Sequence, residues 1–531
     1  MKADFAYING KIITMDQNET LAEAVAIKYN RFLRVGSNEE IRELIGEETE
    51  TVDLAGKTVI PGLIDSHCHM ISVGAQRKLN IDLSEEAGVH CIADIIERLR
   101  RKAKETPKGE WILGYQEDDS KLTEKRHPTR WELDEASTNH PIIISTVGGH
   151  FSVANSKAFE KAGITKNTED PIGGKFDRDE RGELVGGLHE TAIDLILPEE
   201  VNIPTREQSL EGAREILNEC TEVGLTCVYD TVDKPQIRAA IDLVNRNELP
   251  IRVRMDITID LFPELLKLGI YRGLGNDWLR ICGLKFFFDG AISARTAAVT
   301  EEYLNKPGFY GVMSTTREIA TKTIMEAYKE GYRISAHANG DRAISMYLDI
   351  IEEAQNKYPR DDPRNRDIHC TVITKNLVNR IKKLGILPTI FGPYVYYHGD
   401  KLIPAFGEER LERMFAARSF LDKEVRIAAH SDHPCAPYPP LMAIHGLVNR
   451  KTKAGKPIGQ SQKISVLEAL KLYTINAAYQ QFDENKLGSI EEGKLADMVI
   501  LGENILDIET DKIKDIKIEM TVIDGKIVYR G

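Results

Sequence analysis

Apolar residues along this chain fall into two regimes. Near the N-terminus they come as short runs: Phe5-Ala6-Tyr7-Ile8, Lys11-Ile12-Ile13-Thr14-Met15, Ala24-Val25-Ala26-Ile27 and Phe32-Leu33-Arg34-Val35-Gly36. Near the C-terminus the same habit returns in Ala496-Asp497-Met498-Val499-Ile500-Leu501 and Met520-Thr521-Val522-Ile523. Runs of this length and composition read as strands. Asn9-Gly10 and Asp524-Gly525 interrupt them with dipeptides suited to two-residue hairpin turns. Two strand-rich ends around a different middle predict one small composite β-sandwich, built from residues 1–58 and 481–531.

Between these ends, short β-rich runs alternate with amphipathic stretches, the pattern of an α/β fold with parallel strands. The strand candidates are residues 58–65, 225–230, 251–257, 281–288, 333–337, 367–372, 386–391 and 425–430. Helical patterns lie between most of them, for example over 318–328 and 343–354. Eight such units predict a TIM-type (β/α)8 barrel over residues 59–480. A long insertion, about 75–215, separates the first strand from the second. It holds a helical run at 91–104 and strand-like segments at 111–115 and 141–145, and is expected as a subdomain near the barrel mouth.

Composition narrows the class. The chain has 531 residues, 42% hydrophobic and 29% charged, which is ordinary globular usage. A formal net charge of −13 speaks against a nucleic-acid surface, which needs a basic stripe. No segment approaches the ~18 apolar residues of a membrane span, and the first residues lack a secretory layout. Seven scattered cysteines suit a reducing cytoplasm better than a disulfide framework. The expectation is a cytoplasmic protein acting on a small-molecule substrate, without membrane or nucleic-acid partners and with a homodimer left open.

Chemistry concentrates at strand ends. In Pro61-Gly62-Leu63-Ile64-Asp65-Ser66-His67-Cys68-His69, strand alternation points His67 and His69 the same way, so both can grip one metal ion. Lys285, His337, His369 and Asp432 stand at or just beyond the ends of later strands. Each alone is weak, because a strand-end histidine is more often a hydrogen-bonded core residue. Together they describe a ring on the barrel face where active sites gather, which favours a metal site. His430 and His433 stay outside this set.

In these and further motifs the chain resembles the amidohydrolase superfamily, and within it the YtcJ-like, AepA-like branch. The resemblance rests on Val59 to His69, on Gly149-His150-Phe151-Ser152-Val153-Ala154-Asn155-Ser156, on Lys285 to Ala297, on His337-Ala338-Asn339-Gly340-Asp341-Arg342-Ala343, and on Leu487 to Val499. It implies a two-metal centre, usually zinc, with His67 and His69 on one ion and His337 and His369 on the other. A carboxylated Lys285 would bridge them, and Asp432 would contact the first metal and act as general base. His150 is a candidate substrate contact, weighed against a local capping role. Asp289, Arg295 and Asp341 are expected to orient the ligands.

The implied reaction is hydrolysis of a non-peptide C–N bond, such as an N-formyl, N-acyl or cyclic amide, by a metal-activated hydroxide. Ester, lactone or phosphotriester hydrolysis, or a non-catalytic regulatory protein on the same fold, are the alternatives. A mononuclear deaminase fits less well, because Ala338-Asn339-Gly340-Asp341 follows His337 where such enzymes usually carry a Glu.

Overall fold

The computed structural model describes every residue except 86, 148, 150, 172, 173, 199, 200 and 202. The chain divides into two compact units, Met1–Ile71 with Arg214–Gly531, and Ser72–Ala213.

Among the described residues of the first unit, eight parallel strands run in sequence order around a barrel: β1 (Leu63–Cys68), β2 (Leu225–Val232), β3 (Arg252–Thr258), β4 (Leu279–Phe287), β5 (Ile334–Ala338), β6 (Arg366–His369), β7 (Leu387–Phe391) and β8 (Ala428–His430). Every residue of β2 is buried, as expected when side chains fill the barrel on one face and meet helices on the other. The helices that follow β4 and β5, Arg317–Lys329 and Asp341–Lys357, cover the periodic stretches expected from sequence.

Both termini form two further sheets beside the barrel. One orders strands Arg31–Gly36, Ala24–Lys28, Phe5–Ile8 and Glu50–Asp53; the other contains Lys526–Arg530, Ile518–Ile523, Met498–Leu501, Thr58–Pro61, Lys11–Ile13 and Leu21–Ala22. Tyr7, Val25, Ile27 and Phe32 from the first share a core with Ile12, Val59, Met498, Ile500 and Val522 from the second. The C-terminal hairpin forms as expected, with Asp524 and Gly525 both at positive φ.

Two local expectations change. The 58–65 run is two strands: Thr58–Pro61 pairs with Met498–Leu501, and β1 begins after Gly62. A Cβ at Gly62 would lie 2.2 Å from Thr226 Oγ1, so only glycine lets the chain cross here between sheet and barrel. Asn9-Gly10 is likewise no hairpin turn. Phe5–Ile8 and Lys11–Ile13 enter different sheets, and the dipeptide carries the chain from one to the other.

The barrel floor is closed by charge. Asp483 takes Arg254 Nε at 2.6 Å and Arg280 Nη2 at 2.8 Å, both from strands β3 and β4. Arg252 grips Asp497 through two nitrogens at 2.7 and 2.8 Å. Phe482 sits beneath Arg272 and Arg364, whose guanidinium carbons lie 4.3 and 4.2 Å from its ring centre.

The second unit carries a mixed sheet ordered Gly174–Arg178, Leu184–Glu190, Phe151–Ala154, Ile142–Thr146, Ile112–Glu117 and Ile81–Asp82. Helix Ile92–Glu105 buries Ile92, Ile95, Ile96 and Leu99, a single helical stripe.

Asp483→Ala leaves the buried Arg254 guanidinium and the partly buried Arg280 guanidinium without their carboxylate. It is expected to cost roughly 3–5 kcal/mol, read as a lower urea midpoint.

Candidate metal centre

The seam between β1 and β8 builds the centre. Asp65 on β1 accepts Ser431 Oγ at 2.5 Å and Ser431 N–H at 3.2 Å, and also the N–H of His67 at 3.2 Å. Just above, the Asp432 N–H donates to His67 O and the His69 N–H to His433 O, each at 3.0 Å. Burial pushes the Asp65 carboxyl up to about 7, against the opposing pull of its hydrogen bonds. From below, the buried Arg366 guanidinium donates to the Ser66 carbonyl and to Asp256. The peptide unit between Ser66 and His67 is therefore held at both its carbonyl and its N–H.

This seam places Asp432 against the histidine pair. Asp432 Oδ1 lies 3.0 Å from His67 Nε2 and 3.5 Å from His69 Nε2. Burial, reinforced by neighbouring Lys285, holds the His67 imidazole well below its usual pKa, so it is neutral. A neutral imidazole is the form that binds metal.

A second set of donors stands opposite. His369, His430 and Asp432 bring ligand atoms within 4.8 Å of one another, as do His67, His69 and Asp432. His369 stacks on Phe391 at 4.7 Å, and its Nε2 lies 3.1 Å from His337 Nδ1. Burial, then His337, holds His369 well below the ordinary imidazole pKa. His369 and Asp432 both adopt left-handed backbone, with φ of 79° and 54°. Such conformations cost of order 1–3 kcal/mol in non-glycine residues and cluster at functional sites. The donor set fits the metal that the sequence implies. Imidazole nitrogens plus one shared carboxylate suit a divalent ion of the first transition row.

The carboxylated lysine does not survive. Both ligand sets consist of two histidines and Asp432, and it is the aspartate that stands between them. Lys285 lies beside this arrangement, its Nζ 3.2 Å from His67 Nε2. Burial draws its amine down to about 7.

The remaining expected residues have defined places. His337 Nε2 lies 3.3 Å from Gly290 O and 3.1 Å from Asn339 Nδ2, and the residue stands outside both triads. Asp289 accepts the backbone N–H groups of Ala298, Asn339 and Gly340 at 2.8, 2.9 and 2.8 Å, tying the loop after β4 to the loop after β5. Asp341 accepts Thr300 N–H at 2.7 Å. Arg295 is exposed at positive φ. His150 lies outside the described residues.

Sequence reasoning passed over His430. The signal was present, since His430 and Asp432 stand two residues apart at a strand end, the same spacing that singled out His67 and His69.

Imidazoles and a carboxylate gathered from the first, sixth and eighth strands, at the C-terminal rim of a parallel barrel, define a metal-dependent hydrolase. The chain belongs to the amidohydrolase family, whose model matches residues 50–529. It is 30% identical to YtcJ of Bacillus subtilis, over 98% of this chain and 98% of that protein. It is 29% identical to the N-substituted formamide deformylase of Arthrobacter pascens, over 99% of this chain and 98% of the enzyme. An uncharacterized metal-dependent hydrolase from Pyrococcus horikoshii has the same fold, with a TM-score of 0.77 and 26% identity over 95% of this chain and 99% of that one.

With Asp432 between the ligand sets, metal uptake needs no carbon dioxide. Metal-stripped protein is expected to reload to the same stoichiometry with and without bicarbonate, as measured by mass spectrometry; a requirement for bicarbonate would reinstate the carbamate.

Proposed function

We propose that this metal-dependent hydrolase cleaves the C–N bond of a small non-peptide amide, with N-formyl and N-acyl amines as the first substrate class. The observation that carries the reading is Asp432 Oδ1 lying within 3.0 and 3.5 Å of the two histidine nitrogens of His67 and His69. The formamide deformylase that resembles the chain over 99% of its length supports the choice of bond.

His67, His69 and Asp432 would hold the first ion, and the all-nitrogen-and-carboxylate set favours zinc. When bound, the ion supplies an electrophile for the carbonyl oxygen and brings the pKa of water toward ~7. The chain's own residues do the rest. Asp432 accepts the proton of the attacking water and returns it to the leaving nitrogen, which must depart as a neutral amine. Burial holds the His67 imidazole well below its ordinary pKa, so it is a weak base that remains a ligand and does not compete for that proton. Asp65 and Ser431 keep the two ligand-bearing strands in register while charge builds in the chamber.

No helix among the described residues is long and apolar enough to cross a membrane. All seven cysteines are free, which fits a reducing cytoplasm.

His67→Ala is expected to abolish both metal retention and turnover. Asp432→Asn is expected to lower kcat on N-formyl amines by about 10²–10⁴-fold, the usual range for losing a general acid–base group. Paired N-formyl and O-formyl substrates test the bond. Faster cleavage of the amine derivatives supports the assignment, and turnover confined to esters would replace it.

A further inference from the structure

Phe287 ends β4 and is 41% exposed. Its ring stands 5.4 Å from the His337 ring and 5.2 Å from Lys285 Nζ, which itself lies 3.2 Å from His67 Nε2. Phe287 is therefore one side chain removed from a ligand of the metal centre. The same residue lines a cavity of about 680 Å³, which is the size of a small-molecule site.

The walls of this cavity follow from the barrel. The helices after β3 and β4, Phe262–Leu268 and Arg317–Lys329, begin at the C-terminal rim, the face that carries the metal ligands. Their opening turns supply Phe262, Leu266 and Ile319 to the cavity. The turn after β3 supplies Ile259, and β4 supplies Phe286 and Phe287. Asp260, Lys267 and Glu326 also line it, and all three are exposed. Single exposed apolar residues are ordinary on a protein surface. Here two of them, Phe287 and the 57% exposed Ile319, share one concave wall with the buried Phe262 and Phe286.

We propose that this cavity receives an apolar alkyl or aryl group of the substrate, carried on the scissile nitrogen, while the carbonyl lies at the metal rim. This rests on the N-formyl reading above and adds the chemistry of the leaving amine. A formyl carbon bears only hydrogen besides its oxygen and nitrogen, so any bulk must hang on the nitrogen. Phe287 is the wall common to the metal centre and the cavity, and the substituent passes along it. Recognition of this kind is hydrophobic, and it grows with the apolar area that the substituent buries.

Comparison of kcat/KM for N-methylformamide and N-hexylformamide measures it. A fully buried methylene is worth about fourfold, so five partly buried ones are expected to favour the hexyl compound by at least about 100-fold. Ile319→Asp is expected to cut the hexyl-to-methyl ratio by at least about tenfold. Position 319 is exposed and lies in the first turn of its helix, where an acidic side chain is favourable, so this variant keeps the fold. Phe287→Ser is expected to lower the ratio as well. Leu268→Gln, on the other helix but outside the cavity and 72% exposed, is expected to keep the wild-type ratio.

Equal kcat/KM for the two formamides, or a preference that survives both cavity variants, would overturn the proposal. Turnover confined to esters would remove the bond assignment alone, and the ratio between hexyl formate and methyl formate in the same proteins would then decide the cavity by the same margins. Protein that cleaves neither series would overturn both readings.

Discussion

Closure of the barrel between its first and last strands is the constraint on which the site depends. Asp65 and Ser431 stand 366 positions apart in the chain, yet they meet in a 2.5 Å hydrogen bond at the seam. The bond between Asp432 N–H and His67 O and that between His69 N–H and His433 O then fix the two strand ends face to face. Were this register to slip by one residue, the side chains would exchange faces and the carboxylate would leave the histidines. The ligand geometry is therefore a consequence of how the cylinder shuts.

The two ends of that cylinder solve opposite electrostatic problems. At the floor, Arg252, Arg254, Arg333 and Arg366 are fully buried as cations, each near a carboxylate: Asp497, Asp483 and Asp256. Removing charge from water is costly unless a partner and hydrogen bonds replace it, and this lattice supplies both. At the rim, burial works by neutralising. His67, His369 and His430 are all held well below the ordinary imidazole pKa, with loss of solvent as the leading cause. The rim thus presents lone pairs in place of cations, the condition a metal needs. Arg366 joins the two regions by anchoring the Ser66 carbonyl from beneath.

Much of this was legible in the sequence because it depends on local periodicity. The eight β-rich runs, the strand-rich termini and the His67/His69 pair each follow from side-chain alternation within a few residues. What escaped depends on encounters across the chain. The 58–65 run is continuously apolar, so nothing in its composition reveals that Gly62 divides it between two sheets; only the nearness of Thr226 does. Asn9-Gly10 has hairpin chemistry, but the partners of its flanking strands lie elsewhere in the sequence. At the site, the sequence leaves His430 outside the ligand set, since bare nitrogens are visible only when the neighbours are known. Lys285 was expected to supply the shared anion, a role that in the fold falls to Asp432. In each case the reading rested on neighbouring residues, and the partner that decided the outcome lies far off in the chain.

The central claim is that His67, His69 and Asp432 cage a divalent ion at the rim. Anomalous diffraction from zinc-loaded crystals, recorded on both sides of the zinc edge, tests it most directly. The account predicts a peak about 2.0–2.2 Å from one ring nitrogen of each histidine and from a carboxylate oxygen of Asp432. A well-diffracting crystal with an empty rim, or with zinc held only at cysteines or surface carboxylates, would contradict it.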